Sequence, residues 1–130
     1  MKGLIAGAAV AVLLFTGIVY AKDYEVKKKA GEYEVAVMID RNPPVVGDNN
    51  IVIVVKDSAG KDITDAKVTV EYSMPAMSGM PAMRYKTETE SKGNEYRTKM
   101  NLPTHGSWTV SVKIAKGGKT ATMKFIADVK

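Results

Sequence analysis

Trp108-Thr109-Val110-Ser111-Val112-Lys113-Ile114, then Gly117-Gly118, then Ala121-Thr122-Met123-Lys124-Phe125-Ile126-Ala127-Asp128-Val129 is the stretch that decides the fold. Apolar residues fall on every second position on both sides of a glycine pair. That period belongs to a strand with one buried face, because successive side chains of a strand point to opposite sides. A Gly-Gly step between two such runs signals a hairpin turn, since glycine adopts positive φ at little cost. Trp108, Val110, Val112 and Ile114 form the clearest buried stripe in the chain.

The same alternation recurs upstream. Tyr33, Val35, Val37 and Ile39 alternate with Glu34, Ala36 and Met38, and Pro43-Pro44 and Gly47-Asp48-Asn49 then break the chain. Ile51-Val52-Ile53-Val54-Val55 is apolar on both faces, which predicts a central strand covered on both sides. Asp57-Ser58-Ala59-Gly60-Lys61 has turn composition, and Val68, Val70 and Tyr72 resume the alternation. Tyr85 to Glu90 reads as one polar edge strand. After a turn at Lys92-Gly93-Asn94, Tyr96, Thr98 and Met100 point inward from the next strand, and Pro103 to Gly106 forms a loop. No helical stripe occurs after residue 21. About seven short strands over residues 33–130 predict an all-β fold, an immunoglobulin-like antiparallel β-sandwich.

Composition narrows the chemistry. At 130 residues the chain holds one ordinary domain. The absence of cysteine excludes disulfides, thiolate metal sites, iron–sulfur clusters and a cysteine nucleophile. A single histidine, His105, excludes a multi-histidine zinc site. No motif-defined nucleophile accompanies His105, no phosphate-binding glycine motif is present, and Asp40, Asp57, Asp62 and Asp65 do not match EF-hand spacing. The chain reads as a binding domain and not an enzyme. Its net charge of +5 is dispersed, with Lys27-Lys28-Lys29 the sole basic run, and no aromatics interleave to stack bases. Nucleic acid is not an expected partner. Residues 22–32 are read as a flexible, solvated basic leader, with loose attraction to anionic membrane surfaces as an alternative.

Ahead of that leader, Lys2 is followed by an apolar run over residues 3–20 that ends Val19-Tyr20-Ala21. This is the pattern of a secretory signal peptide cleaved after Ala21, the other reading being an N-terminal anchor that stays in the membrane. Either one places residues 22–130 outside the cytoplasm, at the periplasmic or outer face of a bacterial cell envelope.

If successive strands run antiparallel, the Pro43–Asn50, Met74–Met83 and Leu102–Gly106 loops share one end of the sandwich. Loops at a sandwich end commonly carry binding sites. The middle loop reads Met74-Pro75-Ala76-Met77-Ser78-Gly79-Met80-Pro81-Ala82-Met83, with methionine at every third position and the tetrapeptide Met-Pro-Ala-Met repeated around Ser78-Gly79. The prolines exclude helix, and the spacing predicts polyproline II turns that align the side chains on one edge. Thioethers are soft ligands that select Cu(I) over zinc, magnesium or calcium. Met74, Met77, Met80 and Met83 are therefore candidate Cu(I) ligands, with His105 at the same end as a nitrogen donor. Two other readings stand beside this one. Met74 and Met100 continue inward strand phases and fit the core, and the remaining methionines fit an adaptable apolar surface for a protein partner. His105, beside Gly106, also fits a solvated loop residue.

At these residues the chain resembles the YtkA-like/FixH-like family of exported bacterial domains. The resemblance is carried in order by Gly47-Asp48-Asn49 before Ile51–Val55, Asp57-Ser58-Ala59-Gly60-Lys61 with Ala66-Lys67-Val68, Tyr72-Ser73-Met74-Pro75-Ala76-Met77, Gly93-Asn94-Glu95-Tyr96 and Gly106-Ser107-Trp108. It spans most of residues 33–129. It implies an immunoglobulin-like sandwich and a setting of envelope copper handling, including copper delivery to haem–copper oxidases and metal efflux. A membrane-bound copper-handling or respiratory-oxidase partner is what that setting implies. Only Met74, Met77, Met80 and Met83 carry over by motif. FixH-like members usually have a clear membrane anchor, whereas the apolar segment here is short and ends in a cleavage-type sequence.

Overall fold

A computed structural model describes residues 24–130, and the signal-peptide expectation for residues 1–21 lies outside the described residues. The strands are β1 (Tyr24–Ala30), β2 (Tyr33–Ile39), β3 (Gly47–Lys56), β4 (Lys67–Met74), β5 (Met83–Glu88), β6 (Glu90–Lys92), β7 (Glu95–Leu102), β8 (Gly106–Lys116) and β9 (Lys119–Val129). They form two antiparallel sheets, ordered β1-β2-β3-β7-β6 and β5-β4-β8-β9. Discounting β1, this order is the immunoglobulin-type arrangement, with chain crossings between sheets after β3, β5 and β7. The sandwich reading therefore holds, with nine strands among the described residues where the alternation predicted about seven.

The buried stripe lies where period two placed it. Trp108, Val110, Val112 and Ile114 of β8 are fully buried against Val35, Val37, Ile39, Ile51, Ile53 and Val55 of the facing sheet. Each fully buried Val, Leu or Ile side chain contributes about 1.5–3 kcal/mol relative to exposure. Two strands escaped the pattern. Tyr24–Ala30, read as a flexible leader, is strand β1, paired with β2 from Tyr24↔Ile39 to Ala30↔Tyr33. Its three consecutive lysines hide the alternation, yet Tyr24 and Val26 pack against the core. Lys28 Nζ donates to the carbonyl of Lys124 at 3.0 Å, and the Tyr24 hydroxyl donates to that of Ile126 at 3.3 Å. These bonds occupy carbonyls of edge strand β9 that a foreign strand would otherwise use.

The second difference is a break in the Tyr85–Glu90 strand. Thr89 turns its N–H and its hydroxyl onto the Val68 carbonyl, at 3.2 and 2.8 Å, and the chain leaves the β4 sheet there. Residues 90–92 then pair with β7 in the other sheet. The β3 strand also departs from expectation. It is central in its sheet, but Val52 and Val54 face outward and are only partly covered, beside Met38 and Ala36 of β2. A two-layer sandwich has one interior, so an apolar second face of β3 has no third layer to cover it.

Candidate functional site

The register brings the predicted loops to one end. Gly47 pairs with Leu102, Met74 with Met83, and Gly106 with Val129, so residues 40–46, 75–82 and 103–105 emerge together. The Lys130 N–H reaches the Pro44 carbonyl at 3.4 Å and ties the β9 end to the first loop.

That first loop is closed by asparagine. Asn49 is the one buried polar side chain among the described residues. Its Oδ1 accepts the Val45 N–H at 2.9 Å, while its Nδ2 donates to the Val45 carbonyl at 2.8 Å and the Gly47 carbonyl at 3.1 Å. Asp40 accepts both the backbone and side-chain N–H groups of Asn50, at 2.9 and 2.8 Å. Burial pushes the Asp40 carboxyl upward, but these bonds together with the charge of Arg41 outweigh it and hold the group below its ordinary value.

The methionine loop is a hairpin and not the polyproline II run that its spacing suggested. Met77 and Met80 exchange both backbone N–H···O bonds, at 2.9 and 2.8 Å, around the two-residue turn Ser78-Gly79. Gly79 sits at φ 80°, the left-handed region glycine favours. This pair continues the Met74↔Met83 register without a bulge. Between the two pairs, Pro75 has no N–H to offer Ala82 opposite it, so the ladder lapses there and resumes at the tip. The three-residue spacing thus arises from two cross-strand methionine pairs.

Three residues is an odd number of pleat steps, which puts the two pairs on opposite faces of the ribbon. Burial agrees. Met74 is 2% exposed, and Met83 is partly buried against the core. Met77 is 50% exposed and Met80 partly exposed. A hydrogen-bonded cross-strand pair has Cα atoms about 5.5 Å apart and side chains on the same face. Two flexible thioethers so placed can converge on one small ion.

His105 is solvent-exposed on a turn fixed from both sides. The buried Trp108 indole donates to the Thr104 carbonyl at 3.1 Å. On the other side Gly106, at φ 122°, rests on Met74, whose Cε lies 2.9 Å from where a Cβ on Gly106 would sit. Met74 therefore supports the His105 turn from inside. Behind it, Tyr72 stacks on Tyr85 at 5.5 Å between ring centroids, and both lie about 6 Å from Trp108. The Tyr72 hydroxyl accepts the Asn101 N–H at 3.3 Å. Burial raises the Tyr72 pKa, and that hydrogen bond opposes the rise.

The five predicted residues therefore separate. Met77 and His105 are exposed and Met80 is partly exposed at one end, while Met74 and, in part, Met83 belong to the packing beneath them. Among the described residues, no three of His, Asp and Glu are grouped so as to hold a metal ion. Sequence reasoning missed Asn49 and Gly106 as positioning residues. Gly47-Asp48-Asn49 ahead of an apolar strand was the available signal for the first, while nothing in the sequence shows the contact between Gly106 and Met74.

An all-antiparallel, immunoglobulin-type sandwich with thioethers at one end defines the class of domain. The profile of the YtkA-like family matches residues 24–113, from β1 into β8 and including both the methionine hairpin and His105, and the chain belongs to that family. No curated protein matches this chain.

Proposed function

We propose that this is an exported cell-envelope domain that holds Cu(I) at its methionine hairpin, for delivery, buffering or efflux of copper. Met77 and Met80 are the primary ligands and His105 supplies a nitrogen. Met74 and Met83, on the opposite face of the ribbon, form the packing beneath that pair. The observation that carries this reading is the Met77–Met80 cross-strand pair, two thioethers on one exposed face with no structural duty in the core. Soft sulfur favours Cu(I), and because thioethers release no proton, affinity varies little with pH except through His105. Delivery implies a membrane-bound copper-handling or respiratory-oxidase partner.

The test is anaerobic Cu(I) titration against a competing chelator, with a Met77→Leu/Met80→Leu/Met83→Leu variant in parallel. Stoichiometric retention by the native protein, lost in the variant, is the expected result. Failure of the folded native protein to compete would refute the metal reading. A second reading is favoured by the exposure of Val46 (41%) and Met77 (50%) at this end: an apolar docking surface for a membrane-protein partner. Leucine preserves apolar volume, so docking would survive the substitution that removes copper.

A further inference from the structure

The seven methionines of the sandwich are divided by burial into groups of very different accessibility. Met74, Met100 and Met123 are 2%, 0% and 2% exposed. Met38, on the outer face of β2, is partly exposed, as are Met80 and Met83, and Met77 at the hairpin tip is 50% exposed. A thioether is oxidised at its sulfur lone pair, so reactivity toward small oxidants follows access to that lone pair. The same lone pair binds a soft metal.

We propose that the Met77–Met80 pair is a modification site for small peroxides, at which sulfoxidation switches metal binding off. The sulfur lone pair attacks one peroxide oxygen and the O–O bond breaks. An S–O bond forms, the sulfur is oxidised by two electrons, and hydrogen peroxide is reduced to water. The sulfoxide is a poorer soft donor, so the hairpin loses its hold on Cu(I) or Ag(I). The fold is untouched, because the hairpin tip is closed by backbone bonds between Met77 and Met80 and the core methionines stay buried. A bound soft ion occupies the lone pairs and shields the pair from oxidant. The switch rests on the metal reading above; the selectivity of oxidation does not.

The experiment treats the full-length chain in detergent with hydrogen peroxide and follows each methionine by peptide mass spectrometry, with and without Ag(I). Silver is the probe because Cu(I) would itself react with peroxide. Met77 should oxidise fastest, and Met74, Met100 and Met123 slower than it by at least about tenfold. Silver should slow Met77 and Met80 by about tenfold while leaving Met38, which is also partly exposed, unchanged. Unchanged circular dichroism with lost Ag(I) retention after sulfoxidation completes the expected result. Oxidation of Met77 no faster than of the buried methionines would overturn the site. Ag(I) binding that survives sulfoxidation would overturn the switch and leave the metal reading standing. Absence of Ag(I) binding before oxidation would overturn both.

Discussion

Replacing Asn49 by alanine should weaken this domain more than any other single polar substitution at the candidate-site end. The side chain is fully buried and makes three well-formed hydrogen bonds, to the Val45 N–H, the Val45 carbonyl and the Gly47 carbonyl, with the Met100 carbonyl a longer fourth contact at 3.4 Å. Each such bond contributes a net of roughly 0.5–1.5 kcal/mol, and backbone partners left buried without replacement cost more. Val45 and Gly47 are only partly buried, so water can reach some of the abandoned groups. The expected loss is about 2–3 kcal/mol, or about 8–24 °C in Tm for a domain of this size. Urea denaturation should show a lower midpoint with an unchanged slope, because the surface exposed on unfolding hardly changes. The Asn49→Asp variant sharpens the test. An ionised carboxylate accepts the Val45 N–H but faces two carbonyls with no donor, so this variant should be the less stable at neutral pH and regain stability on acidification. A loss below about 0.5 kcal/mol for Asn49→Ala would refute the view that this residue fixes the first loop.

Met74→Leu should leave soft-metal binding within a few-fold of native, because Met74 is buried packing, whereas Met77→Leu/Met80→Leu should abolish it at unchanged Tm; chelator competition and thermal melts check both. Gly106→Ala should cost about 1–3 kcal/mol, since it imposes φ 122° on a side-chain-bearing residue and meets the Met74 methyl, read as a shifted urea midpoint. Asp40 has a folded-state pKa below its ordinary value of 3.8. Its contribution is therefore present above that value and lost as pH falls through the lower folded value. The stability gap between native protein and Asp40→Asn should close as pH drops below about 4, measured by urea midpoints at several pH values.

The sandwich was readable because burial on one face imposes a period of two, which β2, β4, β7, β8 and β9 all display. Where other forces set the sequence, the pattern failed. In β1 three consecutive lysines mask the alternation of Tyr24, Val26 and Ala30, and only pairing with β2 makes a strand of them. Thr89 gives no sign of a sheet change, because the Val68 carbonyl that it seeks lies 21 residues away along the chain.

The candidate site divides along the same line. The residue types, the soft-donor chemistry and the sharing of one end by three loops follow from the sequence, through thioether chemistry and the alternating direction of antiparallel strands. Spacing alone pointed to the wrong geometry for the methionines. A repeat of three suits a polyproline turn and a two-residue hairpin equally well, and the chain's own hydrogen bonds decided for the hairpin. Tertiary structure also divided the five candidates, sending Met74 inward beneath Gly106 and leaving Met77, Met80 and His105 outside. Side-chain chemistry is local and can be read from the sequence. Which sulfur meets water depends on strand register and on what packs beneath, and those are set by residues far away along the chain.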